Sequence, residues 1–189
     1  MLKLLGLLGL FILCSAFNVR AETTDARVRL QTNHGDIVLE LNAQAAPLTV
    51  ANFLRYVNDG FYDGTVFHRV IQDFMIQGGG VTAELNKKRT HDPIQNEADN
   101  GLRNLRGTVA MARTSDPHSA TSQFFINTVE NAYLDHQAKT DKGWGYCVFG
   151  KVVEGMEVVE AIENVPTTTK QGWRDVPVEA VIIEKAVIE

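Results

Sequence analysis

The chain has 189 residues, of which 18 are basic and 23 are acidic, so its net charge is −5 at neutral pH. An acidic chain with scattered basic residues is poorly suited to bind nucleic acid or an anionic membrane surface. At this length, one ordinary domain can bury a hydrophobic core without disulfides or structural metals.

The first 21 residues have the pattern of a secretory signal peptide. Lys3 gives a positive start, residues 4–13 are apolar apart from two glycines, and Ala21 is a small residue suited to precede a cleavage site. The apolar run is too short to span a bilayer, which takes about 20 residues. Cleavage after Ala21 predicts a single exported domain over residues 22–189, with no stable membrane insertion. A lipoprotein cleaved before Cys14 is the alternative, but Phe-Ile-Leu before this cysteine lacks the small residues of a lipidation signal.

Removal of this leader leaves Cys147 as the one cysteine of the domain. A lone cysteine cannot form an intramolecular disulfide, so the domain must depend on its core for stability. The surrounding segment, YCVFG, is apolar, which predicts a buried and inert thiol.

The remaining chain changes repeatedly between strand-like and helical patterns. Residues 27–32 and 37–41 alternate polar and apolar side chains on either side of Asn-His-Gly, which predicts a β-hairpin. Residues 47–58 have apolar residues at helical spacing between Pro47 and Gly60, which predicts a first helix. The later predicted elements are short strands around Phe67, Met75, Val109, Phe125 and Phe149, a second helix over Met156–Asn164 and a last strand over residues 178–188.

About eight short strands and two helices predict an antiparallel sheet that closes on itself, because closure removes exposed edges. Eight strands leave an interior that side chains just fill. The expected fold is therefore mainly β, a closed eight-stranded antiparallel barrel with two flanking α-helices. Its functional site would lie on the outer wall or in the loops. A lipocalin-like carrier is an alternative, and it would require a hollow interior.

Several common catalytic motifs are missing from the sequence. The five histidines show neither HxH nor HExxH spacing, so no metal site is predicted. The glycines at 78–80 are not followed by Gly-Lys-Ser/Thr, and no serine lies in a G-x-S-x-G motif. The sequence therefore predicts no cofactor.

Arg69 is unusual because it lies within the apolar, strand-like segment FHRVIQDFMIQGGG. Charged side chains are rarely buried without a partner. Taken alone, such an arginine is most often a half-exposed residue whose stem covers apolar surface. By the same reasoning, Phe74, Met75 and Phe125 would be ordinary core residues.

Five segments, in order along the chain, resemble the cyclophilins, a family of peptidyl-prolyl cis-trans isomerases, and most closely the short bacterial periplasmic type. They are FHRVIQDFMIQGGG, NEADNGLRNLRGTVAMAR, TSQFFIN, YLD and YCVFGKVVEGMEVVEAI. The resemblance extends from Arg27 to the last strand. It implies a barrel with a helix at each end, a substrate groove along one outer wall and isomerisation of X-Pro bonds. The implied partners are proline-containing unfolded or partly folded polypeptides, bound by a monomer that assists the folding of exported proteins.

The resemblance also implies roles for individual residues. It makes Arg69 the catalytic residue and makes Phe74, Met75, Phe125 and Leu134 an apolar socket for the proline ring. The other implied substrate-binding residues are Gln77, Ala112, Arg113, Gln123, Tyr133 and Tyr146.

Three of these positions depart from the pattern that many family members share. Those members have Trp in place of Tyr133, Asn in place of Arg113 and His in place of Tyr146. In the family, the tryptophan is associated with tight cyclosporin binding, so weak cyclosporin binding is expected here. A tyrosine still supplies an apolar wall, and catalysis should therefore survive the change.

A module that binds proline-containing segments without turning them over is a further alternative. The feature that distinguishes the two functions is Arg69. Isomerisation needs a donor that stabilises the twisted amide, whereas a module that only binds would not need this arginine.

Overall fold

The computed structural model describes residues 26–189, so the predicted signal peptide over residues 1–21 lies outside the described residues. Within this range, antiparallel strands account for most of the regular structure. In chain order the elements are β1 (Arg27–Thr32), β2 (Gly35–Leu41), α1 (Pro47–Asn58), β3 (Thr65–Val66), β4 (Arg69–Ile71), β5 (Met75–Gly78), a 3-10 helix (Ala98–Asn100), β6 (Thr108–Met111), β7 (Phe124–Asn127), a second 3-10 helix (Ala132–Leu134), β8 (Val148–Glu154), α2 (Met156–Glu163), β9 (Thr167–Lys170), β10 (Trp173–Pro177) and β11 (Ile182–Ile188).

The predicted hairpin and both predicted helices are confirmed. Strands β1 and β2 pair in register from Thr32 opposite Gly35 to Arg27 opposite Glu40. Helix α1 has the predicted bounds, with proline in its first turn, where the missing N–H is harmless. Helix α2 ends at Glu163, one residue before the predicted end.

The N-terminus of α1 is capped by a residue far away in the sequence. The Glu97 carboxylate accepts hydrogen bonds from the backbone amides of Leu48 and Thr49, at 3.1 and 2.8 Å. A negative charge at this end also interacts favourably with the helix dipole. This contact fixes the loop before β6 against α1.

Nine strands of the described chain form one curled sheet in the order β3-β11-β1-β2-β8-β6-β7-β5-β4. The two edge strands, β3 and β4, are separated in the sequence only by Phe67 and His68. The sheet must therefore curl until its two edges meet. The mainly β, antiparallel barrel with two helices is confirmed. In a closed barrel, hydrogen bonds would join the two edge strands. Here two residues of chain connect them, so the sheet is a partial barrel of nine strands and not the predicted closed barrel of eight.

A two-stranded ribbon formed by β9 and β10 lies outside this sheet and was not predicted. Its second strand packs against β4. Trp173 and Val176 of this strand join a small apolar cluster with Val66 and Val81. The ribbon is thereby held beside the edge of the barrel that carries Arg69.

Aromatic side chains fill the barrel interior. The ring of Phe53 on α1 lies 5.0, 5.5 and 5.2 Å from the rings of Tyr62, Phe124 and Phe149, centroid to centroid. All four residues are fully buried. The interior is therefore filled, and the lipocalin-like alternative, which requires a hollow interior, is wrong for this chain.

Cys147 is buried, as predicted. Burial raises the pKa of its thiol to about 11. A thiol with such a pKa is almost entirely protonated at neutral pH and is a poor nucleophile.

Helices α1 and α2, and the other helical segments in residues 26–189, are all too short or too polar to cross a membrane.

Candidate active site

The strand register brings three of the predicted site residues, Arg69, Gln77 and Phe125, into one row on the outer face of the sheet. Arg69 on β4 pairs with Gln77 on β5, Gln77 pairs with Phe125 on β7, and Phe125 pairs with Ala110 on β6. Paired residues on adjacent strands project from the same face. The next row, which includes Val70 and projects from the opposite face, packs into the main core. The charge of Arg69 is therefore on the outer wall, while its neighbour in the strand stabilises the fold.

A small concave site, here called the outer-wall hollow, lies over this row and has a volume of about 150 Å³. Its lining contains nine of the eleven residues that the resemblance implied. They are Arg69, Phe74, Met75, Gln77, Ala112, Arg113, Phe125, Leu134 and Tyr146.

The other two implied residues, Gln123 and Tyr133, lie beside the outer-wall hollow and do not line it. Gln123 accepts a hydrogen bond from Nε2 of Gln77 at 3.0 Å. Tyr133 is 66% exposed, and its ring lies 6.0 Å from the ring of Phe74 at an interplanar angle of 27°. Gln123 thus supports a lining residue, and Tyr133 forms part of the rim.

The Arg69 guanidinium is oriented by the residues around it. Its Nη1 donates to Oε1 of Gln77 at 3.3 Å, and it lies 4.0 Å from the sulfur of Met75. Its Cζ lies 5.7 Å from the centroid of the Phe74 ring. Because Gln77 is itself bonded to Gln123, the arginine is the last member of a hydrogen-bonded row of side chains.

The floor of the outer-wall hollow is an apolar cluster separate from the main core. Its buried members are Met75, Ala110, Phe125, Leu134 and Val148. The Phe125 and Tyr146 rings meet edge to face, 5.7 Å apart at 78°. Two of these floor residues, Ala110 and Val148, were not predicted to belong to the site. Ala110 is the next member of the row that contains Phe125, a relation that only the register reveals.

Arg113 is fixed along one side of the outer-wall hollow. Its Nε donates to the carbonyl of Gly145 and its Nη1 to the carbonyl of Thr114, both at 2.9 Å. Its guanidinium carbon lies 4.7 Å from the centroid of the Tyr146 ring, a cation–π contact. Arg113 and Tyr146, two of the three positions that depart from the common family pattern, are therefore in contact with each other.

A network of buried asparagine side chains lies beneath the site, and the sequence analysis did not predict it. Asn131 donates to the carbonyl of Phe74 at 2.9 Å and to the side chain of Asn127 at 2.8 Å. Asn127 donates in turn to Asn104, whose backbone amide donates to Asp135 at 2.7 Å. The network ties Phe74 to the 3-10 helix that carries Tyr133 and Leu134. Asparagine is common in turns, so the sequence alone gave no sign of this role.

Gly80 is the residue that leaves room for Gln123. A Cβ added at Gly80 would lie 2.7 Å from Nε2 of Gln123 and 2.8 Å from its Cδ, far inside van der Waals contact. Gly80→Ala should therefore displace Gln123 and release Gln77. For the X-Pro isomerisation that the resemblance implies, we expect this variant to be about three- to tenfold slower, since one orienting hydrogen bond contributes about 1 kcal/mol.

The double variant Gly80→Ala, Gln123→Ala separates this effect from a general disturbance of the fold. If the glycine acts through Gln123, the double variant should have the same rate as Gln123→Ala alone, because the effects of coupled sites are not additive. Additive losses would contradict this explanation.

Within residues 26–189, no three His, Cys, Asp or Glu side chains come together in an arrangement that could hold a metal ion. The residues around the outer-wall hollow instead supply the fixed guanidiniums of Arg69 and Arg113, two amide side chains and an apolar floor. Such a set can bind an uncharged ring and donate hydrogen bonds beside it.

Comparison with known proteins identifies the whole described domain. The family model described as "Cyclophilin type peptidyl-prolyl cis-trans isomerase/CLD" matches residues 27–188. A peptidyl-prolyl cis-trans isomerase of Streptomyces antibioticus is 63% identical over 161 residues, which are 85% of this chain and 97% of the relative. Peptidyl-prolyl cis-trans isomerase B of Escherichia coli is 55% identical over 161 residues, 85% of this chain and 98% of the relative.

Solved structures give the same result. A cyclophilin-type peptidyl-prolyl cis-trans isomerase of Cryptosporidium parvum, crystallised in the presence of the dipeptide Ala-Pro, matches with a TM-score of 0.67. It is 32% identical in sequence, and the match covers 86% of this chain and 98% of that one.

Proposed function

The chain belongs to the cyclophilin-type peptidyl-prolyl cis-trans isomerases, and on that premise we propose that Arg69 is its catalytic residue and that the outer-wall hollow receives the proline ring. The enzyme interconverts the cis and trans forms of X-Pro bonds. The roles of individual residues follow from the chemistry of that rotation.

Rotation about a peptide bond is slow because conjugation gives the C–N bond partial double-bond character, with a barrier of about 18–20 kcal/mol. No covalent bond is made or broken during the rotation. The enzyme therefore needs no nucleophile, and it must bind the twisted amide more tightly than either planar form. An acceleration of about 10⁵-fold corresponds to about 7 kcal/mol of such differential binding.

Arg69 supplies the donor for the twisted state. As the amide twists, its nitrogen loses conjugation, becomes pyramidal and regains a lone pair that can accept a hydrogen bond. A guanidinium is always charged and has donors in a fixed plane. Gln77 holds Nη1 of Arg69 in place before the substrate binds, so little reorganisation is required at the moment of rotation.

The apolar floor selects proline. Met75, Phe125 and Leu134 are buried in one cluster and present carbon and sulfur atoms to the outer-wall hollow. Proline has no backbone N–H, so its ring can enter this site without leaving a donor unsatisfied. The methionine can adapt its shape to the ring pucker.

The peptide backbone would lie along Ala112 and Arg113. The amide of Ala112 already donates to the carbonyl of Gln123 at 2.9 Å. Pairing with a bound peptide would therefore use the Ala112 carbonyl or the Arg113 amide. Fixing the flanking peptide in this way helps catalysis, because motion of the bound substrate is then confined to twisting about the X-Pro bond.

The observation that carries this proposal is the oriented Arg69 guanidinium at the edge of a small apolar hollow. Exchange of a short Ala-Pro peptide between its cis and trans forms, measured by NMR with and without the protein, tests it. Acceleration that is unaffected by a chelator supports the proposed chemistry. Binding of the peptide without acceleration would favour the module that only binds, and loss of activity with the chelator would contradict a metal-free reaction.

We further propose that the enzyme is exported and assists the folding of periplasmic proteins as a monomer. The signal-peptide pattern over residues 1–21 supports export. The related proteins from bacteria and the Ala-Pro dipeptide of the Cryptosporidium structure support proline-containing polypeptides as substrates.

Expression of the full chain in a Gram-negative host tests export. We expect the protein recovered from the periplasm to have the intact mass of residues 22–189, whereas a variant lacking residues 4–13 should stay in the cytoplasm at its full mass. Recovery of the full-length chain in the cytoplasm would contradict the proposal. A lipid-modified N-terminus at Cys14 would instead support the lipoprotein alternative.

A further inference from the structure

A carboxylate that belongs to neither the barrel nor the apolar floor lies beside the proposed catalytic arginine. Oδ2 of Asp175 is 3.9 Å from Nε of Arg69. The two side chains are 42% and 39% exposed, so the pair lies at the open edge of the site. Asp175 belongs to β10, the strand of the outer ribbon that packs against β4.

The backbone at Asp175 is in an unusual conformation. Its φ is +59°, in the left-handed region that non-glycine residues rarely adopt. The ribbon contains a bulge at the same place, because Trp173 pairs with Lys170 whereas Val176 pairs with Thr168. Bulges beside active sites often redirect a side chain, and local backbone strain is often kept where it serves function.

The residues on either side of the bulge are fixed by packing. Trp173 and Val176 lie in the apolar cluster that holds the ribbon against the barrel. The Trp173 ring also meets the ring of His68 edge to face, 5.4 Å apart. Because His68 directly precedes Arg69, the ribbon is anchored at the position where its carboxylate approaches the arginine.

The guanidinium of Arg69 is consequently contacted on two of its three nitrogens. Nε faces Asp175, and Nη1 is bonded to Gln77. Within residues 26–189, Nη2 has no protein acceptor at hydrogen-bond distance. We infer that Asp175 is a positioning residue for Arg69, which fixes the Nε edge of the guanidinium and leaves Nη2 available to the prolyl amide. This inference rests on the proposed catalytic role of Arg69.

The expected effect is small and specific. An ion pair between two partly exposed side chains is weakened by solvent and is typically worth less than 1 kcal/mol. Loss of the carboxylate should therefore lower kcat by about two- to fivefold and change KM little, because the arginine would still bind the substrate but would be less well oriented toward the twisted state. The advantage of the wild-type enzyme should shrink as salt is added, since salt screens the pair.

Asp175→Asn is the informative variant. Asparagine has the same shape without the charge, and it tolerates a positive φ at least as well as aspartate. Asp73→Asn is a matched control, because Asp73 also has a positive φ, of +56°, and lies in the nearby turn between β4 and β5. Its side chain makes no salt bridge with Arg69, so its replacement should leave kcat unchanged.

The double variant Arg69→Ala, Asp175→Asn completes the experiment. If the carboxylate acts through the arginine, the double variant should have the kcat/KM of Arg69→Ala alone. An unchanged or increased kcat in Asp175→Asn, with Arg69→Ala strongly impaired, would overturn the positioning role and leave the proposed function intact. Full activity in Arg69→Ala would overturn the proposed function itself.

Discussion

Replacing Arg69 by alanine is expected to lower kcat/KM by about 10²–10³ while leaving the protein folded. Loss of one preorganised donor to a developing charge or lone pair typically has an effect of this size. The fold should persist because Arg69 projects from the outer face, whereas the barrel interior is filled by residues such as Phe53 and Phe124. The measurements are cis–trans exchange of an Ala-Pro peptide and the thermal unfolding of each variant.

Arg69→Lys distinguishes charge from geometry. Lysine keeps the positive charge but lacks the planar fork, so it cannot contact Gln77 and a prolyl nitrogen with separate donors. It should restore only part of the lost activity. Peptide affinity should fall less than turnover in both variants, because the role proposed for this arginine is to stabilise the twisted state.

Arg106→Ala provides the matched control for these variants. Arg106 is an exposed arginine that pairs with Glu160, and it does not line the outer-wall hollow. Its replacement should leave the exchange rate unchanged. A folded Arg69→Ala protein with the activity of Arg106→Ala would show that the apolar floor alone provides the acceleration.

The periodicity of apolar residues was sufficient to predict the first hairpin and helix α1. The first hairpin and helix α1 each have a clear period, a turn or proline at one end and glycine near the other, and they occur where the sequence predicted them. The ribbon of β9 and β10 was missed because β9 is exposed along its whole length and reads TTTK. Its strand conformation depends on pairing with β10, which has no apolar alternation to reveal it.

For the candidate site, too, the sequence identified some residues and missed those that depend on tertiary contacts. Family resemblance supplied the implied residues, and nine of them line the outer-wall hollow. The residues that support them could not be predicted in the same way. Asp175 reaches Arg69 only because the ribbon packs on β4, and Asn131 reaches Phe74 only through the partial barrel. Contacts between distant segments leave no periodic trace in a single sequence.

His68 directly precedes Arg69 but is buried, whereas Arg69 is partly exposed. The burial of this imidazole predicts that the stability of the protein depends strongly on pH. The side chain is 2% exposed, and within residues 26–189 its Nδ1 has no hydrogen-bond partner. Burial, with a smaller contribution from the nearby Arg69 charge, lowers the pKa of this imidazole to about 4, even though hydrogen bonds to the Val66 backbone and to Gln123 act in the opposite direction.

The sign of the effect follows from proton linkage. Between pH 6.5 and 4 the unfolded chain binds a proton at His68 and the folded protein does not, so stability falls as the pH falls through this window. A difference of about 2.5 pKa units corresponds to about 3 kcal/mol in the free energy of unfolding, fully present above pH 6.5 and lost near pH 4. Carboxyl groups with lowered pKa values, such as those of Asp99 and Asp135, lose their contribution only at lower pH.

Urea unfolding at several pH values between 7 and 4.5 measures this dependence, and two histidine variants assign it. His68→Gln should be less stable than the wild type at pH 7 but should show a much flatter pH dependence, because the buried titrating group is gone. His34→Gln, in the exposed turn between β1 and β2, should retain the wild-type slope. If His68→Gln keeps that slope, another group binds the proton, and burial does not hold the His68 imidazole neutral.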